Sequence, residues 1–201
     1  MSTRQRTFTA VVIVFAVVFA LALVVAPFAS ARKNSPSPEA LQKQRVERGE
    51  YIVMTSGCHD CHTPWKMGAE GPEPDMSLAL SGHPEALVMP PAPDLGGGEW
   101  VWAGSGTNTA FAGPWGVSFT ANLTPEPLTG IGIWTEDIFI NTIRSGRHWG
   151  VSRPILPPMP WQVYRNMTDE DLKSLFAYLQ TLKPIQNQVP EPLPPAGQPP
   201  V

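Results

Sequence analysis

The sequence is poor in charged residues and in cysteine. Charged side chains make up 15% of the 201 residues, and the only cysteines are Cys58 and Cys61. The formal net charge is −3, so the basic excess typical of nucleic-acid-binding proteins is missing. The chain also lacks an internal repeat. In contrast, 24 prolines and 17 glycines predict one domain with long extended loops between a few separated helices.

The amino terminus predicts export. Arg4 and Arg6 precede an uncharged apolar run over residues 10–29, and Ala-Ser-Ala at residues 29–31 matches a small-residue cleavage site. About 20 apolar residues also suffice to span a bilayer. Residues 1–31 are therefore interpreted as a signal peptide or a retained membrane anchor, and the positive-inside rule places the rest of the chain outside the cytoplasmic membrane.

The remaining chain is predicted to contain a linker at residues 32–37, one domain at residues 38–184 and a Pro-rich tail at residues 185–201. The tail is expected to be extended and mobile, because it carries many prolines and few large apolar groups. Capping residues and helical spacing of apolar residues predict three main helices. These begin at Ser37-Pro38, Thr135 and Thr168, and end near Thr55, Gly146 and Lys183.

Residues 63–134 form a long insertion that is rich in turn-forming residues and aromatic rings. Short strands are expected around Trp100 and around residues 117–121. A structureless run of this length is uncommon in a compact domain, so the insertion is interpreted as a cover over a ligand.

The stretch Cys58-His59-Asp60-Cys61-His62 matches C-x-x-C-H, the attachment pattern of haem c. Cysteines three positions apart lie on one helical turn, so both can form thioethers with the two vinyl groups at one haem edge. The histidine that follows can then reach the iron. The motif therefore predicts one covalent haem c per chain, held by Cys58 and Cys61, with His62 as an iron ligand and His59 as an exposed spacer.

Three other interpretations of the cysteines are weaker. A disulfide would close a very small loop and add little stability. A thioredoxin-like redox pair requires a βαβ setting, which the sequence does not predict. A zinc site with Cys58, Cys61 and histidines such as His83 and His148 would lack a paired second half-site.

Met159 is the favoured second axial ligand. Pro157, Pro158 and Pro160 hold it in a stiff extended segment just before the last predicted helix. Met89, a histidine or an open position are the alternatives. Methionine opposite histidine raises the reduction potential and closes the iron to substrates, which favours electron transfer over catalysis.

Three stretches carry a resemblance to a known family: "RGEYIVMTSGCHDCHTP", "ANLTPEPLTGIGIWTEDIFINTIRSGRH" and "PPMPWQVYRNMTDEDLKSLFAYLQTLKP". They cover about 70 residues and resemble the class I cytochromes c, in particular the haem domains in cytochrome subunits of membrane-bound bacterial dehydrogenases. The resemblance implies an all-α class I cytochrome c fold, with three main helices around one covalent haem. It also implies that Met159 is an axial ligand and that the first and last helices cross.

In that crossing, Gly49 and Tyr51 are expected to face Phe176, Leu179 or their neighbours. Two features depart from the family. The dehydrogenase subunits usually carry three haem motifs, whereas this chain has one, and the insertion is longer than in a minimal class I domain. The expected fold is therefore all-α with a loop-rich insertion and an N-terminal hydrophobic segment.

Haem propionates need hydrogen-bond or charge partners when they are buried. Asn122, Thr124 and Arg144 are the candidate contacts. The competing interpretation is that Asn122 and Thr124 shape the turn before Pro125 and that Arg144 is solvated.

These features together predict a periplasmic electron carrier, either soluble or anchored through residues 10–29, that is not itself an enzyme. It would pass one electron from a dehydrogenase to a cytochrome or oxidase, as a separate protein or as a subunit of an oxidoreductase complex. The alternative is a haem enzyme or gas sensor with an open distal site, in which the insertion forms the distal pocket.

Overall fold

The computed structural model describes residues 36–95 and 97–195. The predicted leader, most of the linker and the last residues of the predicted tail lie outside these ranges. The chain divides into two compact units, residues 1–41 and 42–201. In the first unit, Ser37 Oγ accepts a hydrogen bond from the N–H of Ala40 at 3.2 Å and so caps the first helix, as predicted. Within the described ranges, no helix is long and apolar enough to cross a membrane.

Five α-helices are present in the described part of the chain: α1 (Pro38–Thr55), α2 (Cys58–His62), α3 (Glu136–Ser145), α4 (Trp161–Tyr164) and α5 (Asp169–Leu179). Two short 3-10 helices, Met76–Leu78 and His148–Gly150, lie between them. The three longest helices begin where the sequence predicts. Thr135 and Thr168 cap α3 and α5 by accepting hydrogen bonds from the N–H groups of Ile138 and Asp171. Helix α5 ends at Leu179, four residues before its predicted end at Lys183.

The all-α prediction is wrong, because the insertion forms two small antiparallel sheets. Their strands are β1 (Trp65–Met67), β2 (Pro72–Pro74), β3 (Ala103–Gly104), β4 (Ala110–Gly113) and β5 (Gly116–Phe119). The first sheet pairs β1 with β2, and the second has the order β3-β4-β5. Strands of two to four residues between glycines and prolines carry too little alternation to outweigh the turn signals. The fold is therefore mixed, with helices and small sheets, although β5 and β3 lie close to the positions where short strands were expected.

The hydrophobic core of the larger unit is built mainly by α1, α3 and α5. Its fully or nearly buried members are Ile52, Val53, Leu80, Ile131, Phe139, Ile143, Leu172, Leu175 and Leu179. Seven of these residues lie on the three longest helices, so the helical spacing of apolar residues in the sequence places one face of each helix in the core.

Helices α1 and α5 cross closely at Gly49. A Cβ atom added there would lie 1.9 Å from the carbonyl oxygen of Ser174 and 2.7 Å from the Cβ of Tyr178. Only glycine permits this approach, which confirms the predicted crossing point. Tyr51, however, does not face the last helix, since it is 60% exposed and its ring lies under the guanidinium of Arg48.

The hairpin of the second sheet is hydrogen-bonded both to helix α2 and to the first sheet. Asn108 Nδ2 donates to the carbonyl oxygen of Asp60 in α2 at 2.7 Å. The N–H of Trp65 donates to the carbonyl oxygen of Thr107 at 3.0 Å. The insertion is thus packed against the segment that carries the two cysteines.

Residues 185–195, which we term the C-terminal strap, are extended but held in place. The strap pairs with β5 through reciprocal hydrogen bonds between Val117 and Leu193. Asn187 is buried and donates from Nδ2 to the carbonyl oxygens of Ser81 and His83, at 2.7 and 2.9 Å. Instead of the mobile tail that was expected, these eleven residues are bound across the domain.

Candidate cofactor site

The two cysteines lie in α2, a five-residue helix that starts directly after Gly57. Gly57 adopts a left-handed conformation with φ of 73°, which turns the chain sharply between α1 and α2. Both cysteines are free and line one cavity together with His62. The short helix therefore presents two thiols and one imidazole to the same space.

His62 is oriented by a backbone carbonyl. Its Nδ1 lies 2.8 Å from the carbonyl oxygen of Ala121. Because a carbonyl can only accept, Nδ1 must carry the proton, and Nε2 of the neutral ring keeps a free lone pair. Burial lowers the pKa of His62 below its usual 6.5, which favours this neutral form. Metal-binding histidines typically make such a hydrogen bond through their other ring nitrogen.

The thiols are protonated at neutral pH. Burial raises the pKa of Cys58 to about 11. The pKa of Cys61 is also raised, mainly by burial and to a smaller extent by the nearby carboxylate of Asp60. Uncharged thiols in a largely apolar setting do not make an activated nucleophile or a redox pair.

The cavity measures about 350 Å³ and is walled mainly by apolar side chains from all parts of the domain. The helices supply Ile52, Val53, Phe139, Ile143, Leu172, Leu175 and Leu179, and the second sheet supplies Phe111 and Phe119. The insertion therefore forms one wall of the cavity, and its interpretation as a cover over a ligand stays a prediction.

Met159 also lines this cavity. Its segment is held by two hydrogen bonds: Ser118 Oγ donates to the carbonyl oxygen of Pro157 at 2.6 Å, and the N–H of Trp161 donates to the carbonyl oxygen of Met159 at 2.9 Å. Met167 is the other cavity-lining methionine of the described residues, and it also packs against the hydrophobic core.

Asn122 and Thr124 are occupied by hydrogen bonds within the chain. Asn122 is buried and lines the cavity, but its Nδ2 donates to the carbonyl oxygen of Ile185 at 2.8 Å and to Thr129 Oγ1 at 3.3 Å. Its Oδ1 accepts hydrogen bonds from the N–H and the hydroxyl of Thr124. Thr124 does not line the cavity, and its hydroxyl accepts a hydrogen bond from the N–H of Ile185. The pair thus fixes the C-terminal strap.

Arg144 lies outside the cavity wall. Its guanidinium donates to the carbonyl oxygen of Arg165 and to Asp169 Oδ1, the latter at 2.5 Å. These bonds tie the end of α3 to the start of α5. Contact of a haem propionate with Asn122, Thr124 or Arg144 stays a prediction that these hydrogen bonds do not support.

The two histidines named for a zinc site, His83 and His148, make other contacts. His83 is fully buried, and both of its ring nitrogens are hydrogen-bonded, to Thr109 Oγ1 and to the carbonyl oxygen of Leu87. His148 lines the cavity and packs its ring against Trp134 at 5.4 Å. Among residues 36–95 and 97–195, no three His, Cys, Asp or Glu side chains are grouped as metal ligands.

The sequence analysis did not identify several cavity-lining residues, among them Thr120, Trp149, Arg153 and residues 188–192 of the strap. The hydroxyl of Thr120 is buried without a hydrogen-bond partner in the described chain. Trp149 adopts a left-handed backbone conformation with φ of 57°. None of these residues belongs to a motif, and the only signal for Arg153 is its position between two stretches of the family resemblance.

The residues present fit a covalently attached haem. Two unbonded thiols, an imidazole with a free Nε2 lone pair and a thioether all line one largely apolar cavity. These are the groups that anchor and ligate haem c.

No protein-family model matches the chain. It is 27% identical over 162 residues to the fructose dehydrogenase cytochrome subunit of Gluconobacter japonicus, a match that covers 80% of this chain and 26% of that subunit. It is 29% identical over 150 residues to the cytochrome c subunit of the quinone alcohol dehydrogenase of Gluconobacter oxydans, covering 73% of this chain and 24% of that subunit.

A third relative is a diheme c-type cytochrome of Cereibacter sphaeroides, which is 30% identical over 152 residues, or 76% of this chain and 41% of that cytochrome. The chain thus spans about a quarter of the two dehydrogenase subunits. These similarities and the C-x-x-C-H motif show that the chain is related to the c-type cytochromes, among them cytochrome subunits of dehydrogenases.

Proposed function

We propose that this protein is an exported one-electron carrier, a c-type cytochrome with a single covalent haem ligated by His62 and Met159. One observation carries the proposal: Cys58, Cys61, His62 and Met159 all line the same apolar cavity. The relatives support electron transfer, because they are named as cytochromes or as cytochrome subunits of dehydrogenases.

Each of these side chains has a distinct task. When bound, the haem supplies the one-electron redox chemistry. Cys58 and Cys61 anchor it through thioethers, and His62 offers Nε2 to the iron while Ala121 keeps the ring in place. Met159 supplies a thioether that closes the iron to substrates. The apolar walls exclude water and thereby favour the less charged, reduced state.

The partner and the location are parts of the same proposal. Because the relatives include cytochrome subunits of dehydrogenases, we assign a dehydrogenase as the electron donor, with a cytochrome or an oxidase as the acceptor. The predicted export segment at residues 1–31 supports a periplasmic location for this exchange. The substrates in the relatives' names are properties of those proteins and are not assigned to this chain.

The haem is tested by intact mass. The full chain is expressed in a bacterium that attaches haem c, and the protein is weighed from the soluble and the membrane fractions. We expect the added mass of one haem, and none in a Cys58→Ala/Cys61→Ala variant. A colourless protein of unmodified mass would refute the proposal, and the same spectra report whether the leader is retained.

The assignment of Met159 is tested with two matched variants, Met159→Leu and Met167→Leu, which replace a cavity-lining thioether by a side chain of similar volume. In Met159→Leu, the weak sulfur-to-iron charge-transfer band of the oxidised protein should vanish, and the reduced protein should bind carbon monoxide rapidly. Met167→Leu should keep the band. If the band survives in Met159→Leu, the assignment is wrong, and its loss in Met167→Leu alone would identify Met167 as the ligand.

A further inference from the structure

Arg153 is the only lysine or arginine of the described residues that lines the cavity. Its Nε donates to Glu191 Oε2 at 3.1 Å. Within residues 36–95 and 97–195, its two terminal nitrogens have no hydrogen-bond partner. A cation with two unbonded terminal nitrogens therefore lines a largely apolar space.

Hydrogen bonds hold both the backbone and the side chain of Arg153 in place. Its carbonyl oxygen accepts a hydrogen bond from the N–H of His148 at 2.9 Å, and its neighbour Pro154 pairs with Arg147 in an isolated β-bridge. Glu191 holds the guanidinium from the C-terminal strap. Glu191 and His148 are titratable groups beside Arg153, and Arg147 lies opposite its neighbour Pro154. Burial lowers the pKa of His148, and the charge of Arg153 lowers it further.

The guanidinium is oriented for a second carboxylate. A carboxylate that is bonded to Nε alone leaves the outer edge of the planar guanidinium free. This edge presents two parallel N–H donors to a further anion. Glu191 is not buried by this contact, because its side chain is 80% exposed. The side chain of Arg153 is only 31% exposed. A carboxylate bound at its outer edge would therefore be attracted more strongly than one bound to an arginine at an open surface.

We propose that Arg153, oriented by Glu191, binds a propionate carboxylate of the haem. This inference rests on the proposed function, because it requires the haem to be present. It assigns the propionate to a residue outside the three predicted from the sequence. Those three have their polar groups engaged in hydrogen bonds within the chain, whereas Arg153 lines the cavity with free donors.

The test compares Arg153→Gln and Arg153→Lys with Arg147→Gln. Arg147 is a suitable control, because it lies on the same segment but outside the cavity wall, and its guanidinium donates to the carbonyl oxygen of Ser152. Haem content is measured first, by mass and optical spectrum. A wild-type chain without haem would refute the proposed function, whereas a loaded protein allows the inference about Arg153 to be judged separately.

The readouts are the reduction potential as a function of pH and the propionate carboxylate bands in redox-induced infrared difference spectra. We expect Arg153→Gln to lower the potential, because a lost positive charge favours the oxidised, more positive haem. The potential should also become more pH-dependent than that of the wild type, since an unpaired propionate takes up a proton more readily. The carboxylate bands should shift, and Arg147→Gln should match the wild type in both readouts.

Arg153→Lys keeps the charge but cannot offer two parallel donors, so its potential should shift less while its carboxylate bands still move. This variant decides the question if Arg153→Gln fails to fold. Unchanged carboxylate bands in loaded Arg153 variants, or equal shifts in the Arg153 and Arg147 variants, would overturn the proposal.

Discussion

The Nδ1 atom of His62 lies 2.8 Å from the carbonyl oxygen of Ala121, 59 residues further along the chain. This contact joins the helix that carries the cysteines to the segment leading into Asn122 and Thr124. Because the acceptor is a backbone carbonyl, the orientation of the imidazole does not depend on the side chain at position 121. The ring is thus held through Nδ1, which leaves Nε2 available to bind a metal.

The two histidines of the motif are therefore expected to respond differently to substitution. His62→Ala should remove an iron ligand and abolish the low-spin haem spectrum. His59→Ala should leave the spectrum and the potential unchanged, because His59 does not line the cavity. Its side chain is half-buried, not exposed as predicted, and among the described residues the ring bonds only to Thr63 Oγ1, at 2.8 Å. Its loss should cost about 1 kcal/mol of unfolding free energy. Optical spectra and denaturant titrations of both variants decide the outcome, and equal spectral changes would contradict the assignment.

The ends of the helices could be predicted because their signals are local. Thr135 and Thr168 each bond an N–H group three residues away, within the same turn. The strands could not be predicted in the same way. β4 and β5 are four residues long, and their stability comes from pairing with each other and with Leu193 of the strap, more than seventy residues away in the sequence.

The residues of the site can be divided in the same way, into those with a local sequence signal and those without one. Cys58, Cys61, His62 and Met159 lie in recognisable local patterns, and all four line the cavity. The partners of Asn122 could not be read from its surroundings, because the carbonyl it bonds belongs to Ile185, 63 residues away. Arg153 and Glu191 are 38 residues apart and share no motif. Polar contacts between distant segments depend on the folded chain and leave no periodic signal.

The crossing of α1 and α5 predicts a strong effect of Gly49→Ala. The added methyl group would lie 1.9 Å from the carbonyl oxygen of Ser174, a rigid backbone atom, so the helices must separate. We expect a loss of about 3 kcal/mol in the unfolding free energy. Gly106→Ala is the control, since an added Cβ there meets no atom within 4 Å. Denaturant titrations should show a small change for the control, and similar midpoints for both variants would argue against the close crossing.

The C-terminal strap predicts that Asn187 is a stabilising residue. Its side chain accepts a hydrogen bond from the N–H of Glu85 at 2.8 Å and donates to the carbonyl oxygens of Ser81 and His83. Asn187→Ala leaves these buried groups without partners and should cost about 3 kcal/mol. Gln186→Ala, at an exposed neighbouring position of the strap, should change the unfolding free energy by less than about 0.5 kcal/mol. A near-neutral effect of Asn187→Ala would mean that the strap does not stay bound in solution.

Acidification should destabilise the protein in part through His83. Its Nε2 donates to the carbonyl oxygen of Leu87 at 2.9 Å, so its Nδ1 accepts from Thr109 Oγ1. Burial lowers the pKa of His83 in the folded state below its usual 6.5, so the unfolded chain binds more protons as the pH falls below that value. The stability contributed by the neutral ring is therefore complete above pH 6.5 and is lost as the pH falls toward the folded-state pKa. We expect the unfolding free energy, measured by denaturant titration between about pH 7.5 and about pH 5, to decrease less steeply in His83→Gln than in the wild type. The other histidines are common to both proteins, so parallel pH dependences would exclude His83 as a source of the effect.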